Sequence, residues 1–314
     1  MNYKSIIASN LETLFKFHKS NKEPFKANAY KKALDILKNI DVVNTIEDVK
    51  EIGGVKTQQK IKTIIDNNKN LEEVEKIIND TNFNTMHELM GVHGIGPTKA
   101  RQLVHDYFIK SVTDLKKNEH LLNDVQKTGL KYYKDMKERI PRAEMLQHEK
   151  ILLDVYHNMY INDMMTDEMK ITGSFRRGLD ESGDIDVLIT GNSNVKDFVD
   201  QLLKNKYIVS DGVFAKGEHK FMGMCKLKGA KHARRLDILY TPRHEYPFAL
   251  LYFTGNKQFN VTMRSYALTK GYSLNEQGLM NIETSEYVNT DILTEEDIFT
   301  YLNYPYVNPS NREI

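Results

Sequence analysis

Two aspartates, Asp184 and Asp186, stand one residue apart in the stretch GSFRRGLDESGDIDVLI, residues 173–189, and lead into the apolar run Val187, Leu188, Ile189. A carboxylate beside such a run loses hydration, which costs free energy unless a partner compensates it. In a strand, side chains at i and i+2 share a face, so the pair points the same way with Cα atoms roughly 7 Å apart. Asp237 stands in a second strand-like run, RRLDIL. If the two strands are neighbours, three carboxylates converge. An oxygen-rich cluster of this kind suits Mg²⁺. Two such ions about 4 Å apart can activate an attacking oxygen and stabilise a leaving one in phosphoryl chemistry. The plainer alternative has each aspartate capping a turn or pairing with Arg234 or Arg235. Gly173-Ser174 weighs against it. A Gly-Ser turn that opens a helix offers backbone N–H groups and a hydroxyl to a phosphate, and Arg176 and Arg177 add charge beside it. Gly-Ser, then about ten residues, then Asp-x-Asp is far more specific than either half. It points to metal ions that also carry a nucleoside triphosphate.

The elements that would hold these residues can be read from the rest of the chain. Its 314 residues, 40% hydrophobic and 28% charged, are enough for two or more domains with real cores. No run of about 20 apolar residues occurs, so no membrane span is expected. The first 140 residues read as short helices. Ile6, Ile7, Leu11, Leu14 and Phe15 share one face, as do Tyr30, Ala33, Leu34 and Leu37, with the break at Asn21 and Pro24. IGGV (52–55) and GIGP (94–97) each lead into a helical pattern and form a degenerate repeat. After Pro141, DIDVLITG, RLDILYTP and ALLYFTG read as strands, with a helix over SNVKDFVDQLLKN (193–205) between them. The fold class is therefore α+β: an all-helical first half, then a mixed α/β part that begins near RIPR (139–142). Residues 1–140 carry 24 Lys and Arg against 19 Asp and Glu, while residues 141–314 carry 20 against 24. A basic front half suits a polyanion and an acidic back half suits cations. The single cysteine, Cys225, excludes an internal disulfide framework and a cysteine-based zinc site.

The pattern GSFRRG…SGDIDVL resembles the active-site signature of the nucleotidyltransferases and, within them, of family X DNA polymerases of the beta type. The resemblance extends over nearly the whole chain, through NAYKKA (28–33), GIGPTKAR (94–101), GLKYYKDMKERIPRAEM (129–145), KGEHKFMG (216–223), RRLDI (234–238), LYFTGNKQFNVTMR (251–264) and EEDIFTYL (295–302). It implies four parts: a helical lyase-like domain at 1–78, a helical DNA-binding part with a helix-hairpin-helix at 79–141, a nucleotidyltransferase palm at 142–243 and a nascent-base-pair-binding part at 244–314. It implies templated addition of dNMP to a 3′-hydroxyl in short gaps during base excision repair. Two Mg²⁺ ions, with Mn²⁺ as a substitute, would lie on Asp184, Asp186 and Asp237. Ser174, Arg177, Gly183 and Arg139 would hold the triphosphate. Tyr252, Phe253, Thr254 and Gly255 would border the sugar, Asn260 would contact the nascent base pair and Arg264 the template strand. Lys220 and Arg235 would lie near the primer–template.

The hairpins carry a second implication. VHGIGPTKAR fits a helix-hairpin-helix, whose Gly94 and Gly96 let backbone amides approach a DNA phosphate while Lys99 and Arg101 add charge. The resemblance also implies a monovalent cation at such turns. The first hairpin, GGVKTQQKIK, fits less well. If Gly54-Val55 fills the first two places of the Gly-apolar-Gly turn, Lys56 replaces the second glycine. Relatives with a lyase domain use a lysine here as a Schiff-base nucleophile on 5′-deoxyribose phosphate. The register on Gly54-Val55 assigns that role to Lys62; the register on LEEVEKI (71–77) places Ile61 there, beside Lys60, so a one-residue gap is needed, with Lys62 preferred and Lys60 its rival. Lys26 and Tyr30 match the 5′-phosphate side, and Phe25 stands where relatives often have histidine. Further departures are Leu239 where an arginine is usual, Lys257 for an acidic residue and Gln277 for a tyrosine.

The implied partners are gapped or nicked duplex DNA and dNTPs, with the protein acting as a monomer and without a membrane. The expected location is intracellular: the nucleus, or the cytoplasm if the AT-rich coding suggested by the many Lys, Asn and Ile residues is that of a large DNA virus. The competing readings are a polymerase with an inactive lyase domain, a template-independent nucleotidyltransferase, and a DNA-end-binding scaffold without catalysis. The three intact aspartates argue against the last.

Overall fold

Apolar residues at helical spacing shape the first unit of the chain, Met1–Gln126. The computed structural model describes residues 1–159, 168–191, 194–288 and 292–313. Helices α1 (Lys4–Ser20) and α2 (Pro24–Lys38) pack through Ile7, Leu11 and Leu14 against Ala33 and Leu37, all buried. Pro24 opens α2 at a position where its missing N–H is no loss. Helices α3 (Val55–Asn67), α4 (Glu72–Ile78), α5 (Thr81–Leu89), α6 (Pro97–His105) and α7 (Val112–Lys117) follow, and the divide between the units falls within α8 (Asp124–Lys131). Asn10, fully buried on α1, donates to Ile6 O (2.8 Å) and Asn70 Oδ1 (2.7 Å) and accepts from Leu71 N (2.9 Å). A buried amide satisfied in this way fixes α1 against the start of α4.

The second unit, Lys127–Ile314, is built on a sheet. Its elements are β1 (Ile140–Pro141), α9 (Arg142–Met159), β2 (Glu168–Ile171), α10 (Gly173–Arg176), β3 (Glu181–Ser182), β4 (Ile185–Thr190), α11 (Val195–Lys204), β5 (Ile208–Lys216), β6 (Lys220–Cys225) and β7 (Arg234–Tyr240). Then come α12 (Tyr246–Thr254), α13 (Lys257–Thr269), β8 (Tyr272–Leu274), β9 (Leu279–Asn281) and α14 (Glu295–Leu302). The five-stranded sheet runs β2-β4-β7-β6-β5, with β4 and β7 parallel and the other pairs antiparallel. Alternation sorts its two faces. Ile185, Val187, Ile189, Leu236 and Ile238 join Leu152, Tyr156, Phe198 and Leu202 of α9 and α11 in the main core. Leu188, on the opposite face, packs with Tyr246, Ala249 and Leu250 of α12. Asp186 and Asp237 therefore lie on the α12 face, away from the main core.

The fold class agrees with the sequence reading, and so does α11 for the helix read over 193–205, of which residue 193 lies outside the described residues. One element does not. ALLYFTG forms α12, a helix rather than a strand. Seven of its nine residues are buried, including Phe248, Leu250 and Leu251. A helix enclosed on nearly every side has no polar stripe, so its sequence is a continuous apolar run without helical periodicity. Pro247, near its start, supports a helix N-terminus and is out of place in a central strand. Among the described residues, no helix is long and apolar enough to cross a membrane.

A polar network crosses the main core. His148, with no exposed surface, has Nδ1 2.7 Å from the Tyr207 hydroxyl and 3.9 Å from Cys225 Sγ. Its Nε2 lies 3.5 Å from Glu144, which Arg234 grips with two hydrogen bonds of 2.7 and 2.8 Å. Burial lowers the His148 pKa to about 4 and so keeps the ring neutral. The unfolded chain, with an ordinary histidine pKa near 6.5, binds the proton first. Stability is therefore expected to fall as pH drops through the window from about 6.5 to 4, by on the order of 3 kcal/mol at most. Urea melts at pH 7 and pH 4.5 should differ less for His148→Gln than for the parent chain.

Candidate active site

Asp184 immediately precedes β4 and Asp186 lies within it, directly opposite Asp237 of β7 in parallel register. The sequence could say only that the carboxylates converge if the strands are neighbours; here they are. Burial raises the Asp186 carboxyl well above the ordinary range, and the charges of Asp184 and Asp237 push it further. Asp184 is raised for the same first reason, partly offset by Arg235. The plainer alternative holds in part. Arg235 grips both oxygens of Asp237, at 3.1 and 2.8 Å, while Arg234 serves Glu144 instead. As they stand, no three His, Cys, Asp or Glu side chains among the described residues enclose an ion site. The donor set nevertheless fits a hard divalent cation. It is all carboxylate oxygen, and the mutual repulsion of the acids is what a cation would relieve.

Gly173 is the tightest point of this arrangement. Its φ is +58°, and a Cβ there would come within 2.8 Å of Asp186 Oδ2. Only glycine allows both the left-handed backbone and the close carboxylate. Thr172 N donates to Asp186 O (2.8 Å), and the Ser174 hydroxyl donates to Ser182 Oγ (3.0 Å). The first bond ties the start of the Gly-Ser turn to β4, which carries the acid, and the second ties the turn to β3.

An open cleft of about 680 Å³ gathers most of the residues singled out from the sequence: Arg139, Ser174, Arg177, Gly183, Asp184, Asp186, Tyr252, Phe253, Thr254, Gly255, Asn260 and Arg264. A Cβ on Gly183 would sit 3.1 Å from Arg139 Nη1, so this glycine makes room for the guanidinium. Arg177 donates to Thr254 O (2.6 Å) and pairs with Glu313. The Gly255–Asn256 peptide is cis, and the Asn256 side chain caps α13 through Phe259 N (2.9 Å). Asn260 donates to Tyr252 O (2.8 Å), and Arg264 stacks 5.0 Å over the Tyr252 ring. Lys257 and Asn256 also line the cleft. Asp237, Arg235 and the exposed Lys220 are not among its lining residues.

Sequence reasoning missed a buried ion triad beside this cleft. Glu295, 5% exposed, accepts from Arg176 (3.1 and 2.9 Å) and from the fully buried Arg312 (2.6 Å). Arg176 also donates to Thr254 Oγ1 (2.6 Å), and Arg312 reaches Val307 O and stacks on Phe259 and Phe299. Burial acts to raise the Glu295 carboxyl, but the two arginines outweigh it and hold the group below the ordinary range. EEDIFTYL was visible as a motif, but nothing in it singles out one glutamate as the buried one.

The two hairpins of the first unit can be compared directly. Gly96 caps α6 with extended backbone and no neighbouring atom within 4 Å of its Cβ position; Gly54 caps α3 in the same way. By its place at the cap, Gly54 corresponds to the second glycine of the turn, a register in which Lys56 displaces no glycine, although the positive φ falls on Gly53, one residue before the cap, where the second hairpin has it on Gly94, two before. Gly94 takes φ +85° and its carbonyl accepts from Gln126 (3.0 Å). Lys99 lies 6.0 Å over Tyr107, and Arg101 reaches Asn21 (3.4 Å). Moving the first hairpin by two residues moves the lysine that the resemblance points to from Lys62 to Lys60. The surroundings differ accordingly. Lys62 is 62% exposed and pairs with Asp66 on its own helix. Lys60 is 24% exposed, lies 6.0 Å over the Tyr30 ring and pairs with Glu73 of α4. Tyr30 in turn stacks on His18, with ring centroids 5.5 Å apart. Lys26 is exposed and held by Glu23 (2.7 Å).

Comparison with known proteins matches three domain models to this chain. The DNA polymerase beta palm matches residues 139–243, the DNA polymerase beta thumb residues 249–313, and the fingers domain of DNA polymerase lambda residues 87–137. DNA polymerase lambda of Rattus norvegicus is 32% identical over 99% of the chain, and that of Arabidopsis thaliana 28% over 96%. DNA nucleotidylexotransferase of Xenopus laevis is 25% identical over 90%. The chain spans 56%, 60% and 63% of the lengths of these three relatives.

Proposed function

This chain belongs to the family X DNA polymerases, and from that premise we propose that it fills short gaps in duplex DNA during base excision repair, adding template-directed dNMP to a primer 3′-hydroxyl. The observation that carries the reading is the parallel register that sets Asp186 against Asp237, with Gly173 left bare for the Asp186 carboxylate. Asp184 and Asp186, joined by Asp237, would hold two Mg²⁺ ions, which supply charge neutralisation at the transferring phosphoryl group. Ser174, Gly183, Arg139 and Arg177 grip the triphosphate, and Arg177 exchanges Thr254 O and Glu313 for phosphate oxygens as it does so. The backbone and rings of Tyr252, Phe253, Thr254 and Gly255 border the sugar, while Asn260 and Arg264 face the nascent pair and the template. Release of Asp237 from Arg235 frees its carboxylate to accept the primer hydroxyl proton and leaves Arg235, with Lys220, to the primer–template backbone. Residues 1–78, 79–141, 142–243 and 244–314 act as lyase-like, hairpin, palm and base-pair-binding parts of a monomer on gapped or nicked DNA.

The first unit adds a second activity: removal of 5′-deoxyribose phosphate through a Schiff base on Lys60. The shielded setting of Lys60 beside Tyr30, against the solvated Lys62, supports this choice.

A one-nucleotide gap with each template base, Mg²⁺ and single dNTPs tests the first activity. The expected product is one complementary addition. Untemplated extension of a blunt or single-stranded end at a comparable rate would overturn the reading. Borohydride trapping on incised abasic DNA tests the second. Lys60→Ala should lose the covalent adduct and keep gap filling, while Lys62→Ala should keep both.

A further inference from the structure

We propose that Glu73 is the proton acceptor for the elimination half of the lyase reaction; the assignment rests on the Schiff-base role given to Lys60. Glu73 comes from α4 and meets Lys60 of α3 at Nζ, and its side chain is 47% exposed, open to a substrate from solvent. The neighbouring acids are engaged elsewhere: Glu23 by His18 and Lys26, Asp66 by Lys62, Glu75 by Asn70. Nothing in the sequence marked Glu73, because α3 and α4 must fold together before the two residues meet.

The chemistry follows from the bond count. Lys60 Nζ attacks the C1′ aldehyde and water leaves, giving an iminium ion. The carbon whose proton must next be removed, C2′, is two bonds from that nitrogen. A carboxylate within hydrogen-bond reach of Nζ is therefore within reach of a C2′ hydrogen. Glu73 takes the proton, and the C2′–H electron pair moves to the C1′–C2′ bond and neutralises the nitrogen as an enamine. The enamine then expels the 3′-oxygen, C2′ and C3′ become doubly bonded, and the downstream strand departs with its 5′-phosphate. Water hydrolyses the conjugated imine, returning Lys60 as the amine and releasing the unsaturated sugar phosphate. Glu73 gives its proton back to solvent. The carboxylate that orients the lysine before attack is thus free to act on carbon once the amine has condensed.

The test separates condensation from elimination. Full-length protein is mixed in excess with DNA bearing a 5′-deoxyribose phosphate, and two quantities are read: adduct trapped by borohydride and sugar phosphate released in a single turnover. Glu73→Gln is expected to trap within about twofold of the parent amount and to release about 10²-fold more slowly. Added acetate should speed release by Glu73→Ala but not by the parent protein. Unchanged release by Glu73→Gln would overturn the role of Glu73 while leaving Lys60 in place. No trapped adduct from the parent protein would instead overturn the lyase reading itself. A trapped amount that falls in step with release would show that Glu73 serves only to position the lysine, which also overturns the proposal.

Discussion

Asp186→Asn is expected to abolish metal-dependent nucleotide addition, by about 10³-fold or more in single-turnover gap filling, while raising the metal-free melting temperature. The two effects share one cause. Asp186 faces Asp184 and, across the strand pair, Asp237, and burial together with those charges raises its carboxyl. That repulsion destabilises the fold until a cation relieves it. Asparagine keeps the volume that fits against Gly173 but removes the charge. The gain is about 1 kcal/mol, a shift of a few degrees in a unit of this size. Mg²⁺ should raise the melting temperature of the parent protein and leave that of Asp186→Asn nearly unmoved, because binding to the folded state is what couples the ion to stability. Calorimetric melts with and without Mg²⁺, run beside the gap-filling assay, check both halves. A variant that is destabilised and still responds to Mg²⁺ would contradict the electrostatic account.

Glu295→Ala should cost about 3–5 kcal/mol, the usual penalty for stranding a buried charge by removing its partner. Arg312 has no exposed surface, and Glu295 is its carboxylate partner in the triad; Arg176 shares the same acid. The aromatic faces of Phe259 and Phe299 around Arg312 cannot replace a carboxylate. Glu295→Gln leaves the hydrogen-bond acceptor in place and should cost less than half as much. Urea unfolding of the two variants measures the difference. The damage should reach the cleft as well, because Arg176 also holds the Thr254 hydroxyl and Thr254 lines the proposed sugar pocket. At temperatures where Glu295→Gln remains folded, its KM for dNTP should rise more than its kcat falls. The reverse pattern would show that the triad acts on the carboxylates instead.

The Asp184–Asp186 pair could be read from the sequence because chemistry and geometry are both local there, whereas the approach of Asp237 depended on the pairing of β4 with β7. Asp184 and Asp186 flank one residue, and strand alternation alone aims them together. The helices of the first unit could be read for a similar reason: Ile7, Leu11 and Leu14 repeat at helical spacing and are buried as that spacing requires. What could not be read depends on contacts between distant segments. The pairing of Glu73 with Lys60 needs two helices in place. Glu295 and Arg312 lie 17 residues apart, with nothing local to mark either as buried. The error at α12 has its own cause. Burial on almost all sides removes the polar stripe that separates a helix from a strand. The register of the first hairpin turned on which glycine is the cap, and the cap at Gly54 is visible only in the backbone.

The parallel pairing of β4 with β7 also bears on how the chain is made. Asp186 and Asp237 come from strands separated by α11, β5 and β6, and a parallel pair cannot close through a tight turn. Contacts of such long sequence separation form late, after the loop entropy between them has been overcome. During synthesis the chain would therefore carry Asp184 and Asp186 for some fifty residues with no third carboxylate beside them. The hairpin of β6 and β7 has to dock before the cluster exists. In nascent or partly folded molecules the three carboxylates would stay apart, and protection of β4 and β7 amides from hydrogen exchange would mark the moment at which they come together.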